Sequence, residues 1–157
     1  MKFATLLYIT NSSGDYLLLE RKKPPNEGLL SPPGGKVNIE AGESPHQCAV
    51  REAFEECQIS SSTQDWKLIG IITERNYPGI GNILIYCFLY NKPLNKLPPD
   101  NREGTFKFCK ISEIPTLKIP DTDKLFIWDF VLKNKSNFFS LLIEFKNNNF
   151  SCTVEQH

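Results

Sequence analysis

The sequence predicts an α+β fold in which a mixed β-sheet is clasped by two helices. Three observations carry that expectation. Short apolar stretches bounded by turn-forming clusters recur along the chain, among them YLLLER at 16–21 and ILIYCFLY at 83–90. The segment SPHQCAVREAFEEC at 44–57 opens with a helix start signal. The segment DKLFIWDFVL at 123–132 is amphipathic at helical spacing. A length of 157 residues with 40% hydrophobic content suits one globular domain over 1–157.

Taken in order, Phe3–Thr10 and Tyr16–Arg21 read as a hairpin around the turn Asn11–Asp15. The loop Lys22–Gly35 follows, then the helix Ser44–Cys57. Ser44 can serve as N-cap, Pro45 fits the first helical position, and Gln47 completes a capping box. Cys48, Ala49, Ala53, Phe54 and Cys57 are available for packing. Trp66–Glu74 and Ile83–Tyr90 read as strands, the second apolar on both faces and therefore central. Lys92–Gly104 is a Pro-rich loop, Thr105–Lys110 a short strand, and Asp123–Leu132 a helix offering Leu125, Phe126, Trp128 and Leu132 to the core. Phe138–Phe145 and Phe150–Val154 flank Lys146–Asn149 as a terminal hairpin.

Composition narrows the partners. Eighteen basic and eighteen acidic residues cancel, so no nucleic acid polymer is indicated. The longest apolar run, 83–90, is far too short to span a bilayer. Five cysteines (48, 57, 87, 109 and 152) are odd in number and lack metal spacing. They suit free thiols in a reducing cytoplasm. A small molecule is the expected partner, for a monomer or a homodimer.

Chemistry concentrates between Gly34 and Ile59. Glu52, Glu55 and Glu56 stand at i, i+3 and i+4, which puts three carboxylates on one helix face. Like charges at that spacing repel, and a divalent cation reverses the sign of the argument. Hard Mg²⁺ takes oxygen ligands from a few carboxylates and from substrate phosphates. Upstream, Pro32-Pro33-Gly34-Gly35 forbids regular structure and lets backbone approach a ligand closely. A solvated helix after a Gly/Pro turn is the plainer alternative. The capped start and the Arg51-Glu52 pair disfavour it.

At these residues the chain resembles the Nudix box, G-x5-E-x7-R-E-U-x-E-E-x-G-U, with U aliphatic. Glu43, Arg51, Glu52, Glu55, Glu56 and Ile59 fall in register. Three departures stand out. Seven residues separate Gly35 from Glu43 where the pattern has five, Ala53 replaces a larger aliphatic, and Gln58 stands where the pattern has Gly. The extra residues, with Asn38 and Ile39 among them, are expected to bulge into solvent. The order of elements, EGTFKF at 103–108, the Glu113-Ile114-Pro115 corner and the closing hairpin resemble oxidised-purine nucleoside triphosphatases of the MutT type.

The resemblance implies an α/β/α sandwich and Mg²⁺-dependent hydrolysis of a nucleoside diphosphate linkage, with Mn²⁺ as a substitute. The favoured substrate is a (deoxy)nucleoside triphosphate, oxidised or not, cleaved to monophosphate and pyrophosphate. Metal would be held by Glu52, Glu55 and Glu56, assisted by Glu43 and by a carbonyl in Gly34–Gly35, with Gly35 favoured. Arg51 would orient a box carboxylate. Glu52 or Glu103 would take the proton from water, and the sequence does not choose. The resemblance places Arg21 toward the phosphates and Asp121 at a purine edge, although Asp121 or Thr122 could equally cap the following helix. Ile119 stands where some relatives stack a Trp, with Tyr77, Phe106 and Phe108 as substitutes. His46 is expected in solvent. Alternatives are a dinucleotide or nucleoside-diphosphate-sugar pyrophosphatase and a non-catalytic nucleotide-binding regulator. The complete carboxylate set counts against the regulator.

Overall fold

The computed structural model describes residues 1–133 and 137–157. Its strands are β1 (Lys2–Tyr8), β2 (Tyr16–Arg21), β3 (Leu30–Ser31), β4 (Trp66–Tyr77), β5 (Gly81–Tyr90), β6 (Gly104–Cys109), β7 (Phe139–Lys146) and β8 (Asn149–Gln156). Its helices are α1 (Pro45–Cys57) and α2 (Trp128–Lys133). The expected mixed sheet is present with five strands in the order β1-β5-β4-β7-β8, and a second sheet holds β3-β2-β6.

The first two strands do not form the expected hairpin. β1 pairs in parallel with β5, from Lys2↔Ile83 to Tyr8↔Leu89, while β2 pairs antiparallel with β6. A bridge at Thr10↔Tyr16 and the bond from Leu17 N to Ile9 O (2.8 Å) join them locally, beside the turn. The cause lies in β2, which is apolar on both faces. Tyr16 and Leu18 enter one core cluster, and Leu17 and Leu19 enter another. A strand in which residues 16–19 are all at most 1% exposed needs cover on both sides, which one two-stranded hairpin cannot give.

Those two clusters define the layers. One packs Ile69, Ile72, Phe139 and Leu141 against Trp128 and Val131 of α2. The other packs Leu7, Trp66, Phe88 and Phe106 against Ala49, Ala53 and Cys57 of α1. β5 lies between β1 and β4, as its two-sided apolar pattern predicts. The terminal hairpin forms as read, with Asn147 and Asn148 both at positive φ in the turn.

Two packing expectations change. Residues Asp123–Ile127 form a π-helical turn before α2, and that turn rotates the apolar face. Ile127, Trp128 and Val131 are buried, whereas Leu125 is 57% exposed. On α1, Phe54 is 60% exposed and points away from the core. All five cysteines are free, four of them buried. Among the described residues no helix is long and apolar enough to cross a membrane.

Candidate metal centre and substrate cleft

The helix that carries the acids is fixed at both ends by its own sequence. The Ser44 hydroxyl accepts the Gln47 amide at 3.1 Å, and the Gln47 side chain accepts the Ser44 amide at 3.0 Å. At the other end Gln58 adopts the left-handed conformation, φ 56°. The amides of Gln58 and Ile59 return to the carbonyls of Phe54 (3.0 Å) and Ala53 (3.1 Å). The turn expected of a Gly is therefore kept, with a residue that pays for it in backbone strain. His46 does not sit in solvent; its ring stands edge-on to buried Phe88 with centroids 4.7 Å apart.

With Cys48, Ala49, Ala53 and Cys57 facing inward, Glu52 and Glu56 fall at the rim of the core and Glu55 lies outside it. Arg51 organises them. Its Nε and Nη2 grip the two Glu43 oxygens at 2.7 and 2.9 Å. Its Nη1 donates to Glu52 Oε1 at 2.8 Å and to Glu55 Oε2 at 3.2 Å. Nη2 also donates to the Lys36 carbonyl at 2.9 Å.

This arrangement revises the expectation for Glu43. Arg51 takes both its oxygens, and the Asn38 amide adds a third bond to Oε1 at 2.9 Å. Those bonds hold the Glu43 carboxyl down at about 2. Glu43 is thus committed to bracing Arg51 and has little left for a cation. The inserted residues likewise differ from a simple bulge. Ile39 is 54% exposed, as a bulge requires, but Asn38 is wired into the Glu43 carboxylate and caps Ala41.

The two glycines divide their tasks. Both are forced by close approach: a Cβ on Gly35 would lie 2.3 Å from the Glu52 carboxylate, and one on Gly34 2.0 Å from the Thr5 carbonyl. The Gly35 carbonyl accepts the Thr5 amide at 2.8 Å and the Thr5 hydroxyl at 3.3 Å. It therefore faces β1, not the acids, contrary to the expectation that Gly35 ligates metal. Gly34 faces the site. Its amide donates to Glu56 Oε2 at 3.2 Å, and no backbone amide of the described residues bonds its carbonyl. Burial pushes the Glu56 carboxyl up to about 8, against the Gly34 bond, and burial also raises Glu52.

Glu52, Glu55, Glu56 and Glu103 line one cleft of about 560 Å³, with Arg21, Lys36 and Arg102 on its walls. Glu103, on the loop before β6, is paired with Lys23 at 3.7 Å. Arg21 ends β2 and donates to the Pro25 carbonyl at 2.7 Å. Among the described residues no three acidic, His or Cys groups already converge on an ion-sized point. The donor set still fits Mg²⁺, because that ion is held by one or two carboxylates and completes its shell with water and phosphate oxygens. A cation would also offset the burial of Glu52 and Glu56.

A second cleft of about 220 Å³ abuts the first along Arg21, Pro25 and Gly34–Lys36. Its walls are largely apolar, with Glu74, Tyr77, Thr122 and Asp123 on one side and Thr5, Asn26 and Ser31 among its other polar groups. Asp121 is not among them. Its side chain is exposed, so the acid brought to the base-sized cleft is Asp123. Neither Asp121 nor Thr122 makes a side-chain cap; Thr122 lines the cleft beside Glu74 and Tyr77 instead. Ile119 and Phe106 are buried in the core, whereas Tyr77 does line the cleft. Glu74 was not singled out from the sequence. The alternation along β4, which puts it on the same face as buried Ile72, was the available signal.

Residues 2–129 match the family pattern described as the NUDIX domain. The chain belongs to the Nudix family. Within it the protein is a hydrolase of phosphoric anhydrides, and Nudix hydrolases generally use divalent cations. Solved Nudix structures share the fold. The MutT protein from Bacillus halodurans superposes with a TM-score of 0.78 at 22% identity, covering 99% of this chain and 98% of that one. The MutT protein from Methanosarcina mazei Go1 gives 0.71 at 22% identity, over 86% and 96% of the two chains. The NUDIX domain of Shewanella oneidensis NrtR, solved with ADP ribose, gives 0.67 at 15% identity over 83% and 86%.

Proposed function

We propose that the chain, acting as one domain over 1–157, hydrolyses a (deoxy)nucleoside triphosphate, oxidised or not, to monophosphate and pyrophosphate in the cytoplasm with Mg²⁺. One observation carries this reading: an acid-lined cleft and an apolar cleft meet along Arg21 and Gly34–Lys36. Such a groove seats metal-bound phosphates at one end and a base at the other, with cationic side chains at the junction.

Glu52, Glu55, Glu56 and the Gly34 carbonyl would hold the cation. Bound there, it supplies charge neutralisation along the diphosphate and acidifies water. Arg51 fixes the direction of Glu52 and Glu55. Arg21 lies at the junction, where it can pair with a phosphate oxygen. Glu103 lies outside the Arg51 network, so its Oε2 is the atom we assign to receive the proton as water adds across the P–O–P bridge.

The test is release of phosphate and pyrophosphate from a panel of triphosphates, dinucleotides and nucleoside-diphosphate sugars, with and without Mg²⁺. Fastest release of pyrophosphate from a triphosphate is expected, and only with the cation. Glu56→Gln should abolish both turnover and Mg²⁺-induced thermal stabilisation. Glu103→Gln should cut kcat by about 100-fold and leave that stabilisation intact. Nucleotide binding without any release would instead establish a non-catalytic binder.

A further inference from the structure

We infer that Asn101 is a positioning residue for hydrolysis, a clasp that holds Glu103 in place against the helix carrying Glu52, Glu55 and Glu56. The inference rests on the assignment of Glu103 as proton acceptor above and deepens it. The Asn101 side chain joins two elements that lie far apart in sequence. Its Nδ2 donates to the Glu56 carbonyl at 3.0 Å. Its Oδ1 accepts the Glu103 amide at 2.8 Å and the Gly104 amide at 3.2 Å. Two backbone donors on one side and a backbone acceptor on the other fix which way the side-chain amide faces.

Each end of the clasp fills a need. Glu56 lies in the last turn of α1, where carbonyls have run out of helical amides to accept. The amides of Gln58 and Ile59 turn back to Phe54 and Ala53, so Asn101 supplies the donor for Glu56. At the other end the loop is stitched down by Asn101 N to Gly104 O (3.1 Å) and by Lys22 N to Glu103 O (2.9 Å). A Cβ on Gly104 would stand 2.0 Å from the Glu20 carbonyl oxygen, so the loop backbone lies against β2. The Glu103 carboxylate itself is loosely held. Lys23, at 3.7 Å, is its ion-pair partner among the described residues, and the two side chains are 39% and 49% exposed.

Where that carboxylate stands is therefore set by its backbone, and Asn101 ties that backbone to α1. Asn101 and Glu103 line the same cleft as Glu52, Glu55 and Glu56. A proton acceptor must lie within hydrogen-bond reach of its water, and a misplacement of about 1 Å can cost about 100-fold in rate. The chemistry of the clasp also separates its two halves. Aspartate at this position keeps an acceptor for the Glu103 and Gly104 amides but sets oxygen against the Glu56 carbonyl, so the turn survives and the link to α1 is lost. Alanine removes all three bonds.

The experiment measures kcat and KM with Mg²⁺ for Asn101→Ala and Asn101→Asp, each alone and combined with Glu103→Gln, on the triphosphate turned over fastest. Asn101→Ala should lower kcat by about 10- to 100-fold, with KM within about threefold and the Mg²⁺-induced rise in Tm retained. Asn101→Asp should not restore kcat. In the Glu103→Gln chain either change should cost less than about twofold, because the group being positioned is already gone. An Asn101→Ala kcat within about twofold of the unaltered chain, an undiminished loss on top of Glu103→Gln, or full kcat in Asn101→Asp overturns the inference. If a dinucleotide or a nucleoside-diphosphate sugar is the better substrate, the triphosphate reading falls, and the same comparison on that substrate decides this point. With no hydrolysis at all, hydrogen exchange of the metal-free chain decides. Asn101→Asp should then speed exchange of the Lys22 amide, which bonds the Glu103 carbonyl, by about 10-fold or more, and unchanged exchange overturns the clasp. Should Asn101→Ala fail to fold, Asn101→Asp with and without Glu103→Gln decides alone.

Discussion

Arg51 shares five donor contacts among three carboxylates and one carbonyl, and the acid cluster is only as ordered as that guanidinium. A lysine ammonium keeps the charge but cannot fork across Glu43 while reaching Glu52. Arg51→Lys should therefore fold, lose about 10- to 100-fold in kcat, and need more Mg²⁺ for half-maximal rate. A variant with unchanged kcat and unchanged Mg²⁺ dependence would remove Arg51 from the mechanism. At this scale the sequence was readable where the geometry was local. The helical spacing of Glu52, Glu55 and Glu56 already implied a shared face. The commitment of Glu43 to Arg51 depends on the Asn38 amide, and the turning of the Gly35 carbonyl depends on Thr5. Neither partner is marked by spacing. The meeting of Glu74 with Asp123 joins a strand to a distant helix start, which no local pattern encodes.

Among the elements, α1 was the most legible, because its capping box and its Pro at the first position are chemical instructions written in adjacent residues. The β1–β2 hairpin was misread because a short turn between two apolar runs resembles a hairpin whatever those runs pair with. The π-helical turn at Asp123–Ile127 escaped notice because one extra residue per turn shifts an apolar face without altering composition. Gln58 offers a direct test of how α1 is closed. Its left-handed backbone costs a side-chain residue about 1 kcal/mol, which glycine avoids. Gln58→Gly should raise the urea midpoint by that amount of stability with the slope unchanged. A fall in stability would show that the Gln58 side chain contributes more than its strain removes.

The whole molecule carries an imbalance of titration. Glu56, Glu74 and Asp123 have folded-state values of about 8, about 7 and about 8, far above ordinary carboxyls. Such groups contribute stability that is fully present below the usual carboxylate range and is lost as pH rises through 7 to 8. Glu43, held at about 2, contributes the opposite way, and its share disappears as pH falls toward 2. The metal-free chain should therefore melt highest in mildly acidic buffer, with Tm dropping by several degrees between about pH 6 and about pH 8.5. Mg²⁺ should raise Tm more at the alkaline end, where Glu56 is ionised and able to bind it. A metal-free Tm that climbs with pH across that interval would contradict this account.

The strand β1 has one further property. Thr5 and Leu7 donate their amides to the Gly35 and Pro33 carbonyls, each at 2.8 Å, while the same strand is laddered to β5 on its other side. Successive amides along an extended strand point to opposite sides, so one strand faces two structures that can open separately. Deuterium uptake at Thr5 and Leu7 thus clocks the release of the glycine loop, and uptake at Leu6 clocks the parting of the sheet. If cation and nucleotide clamp that loop, the first pair should slow markedly and Leu6 should not, which makes three neighbouring amides a readout of when the site is closed.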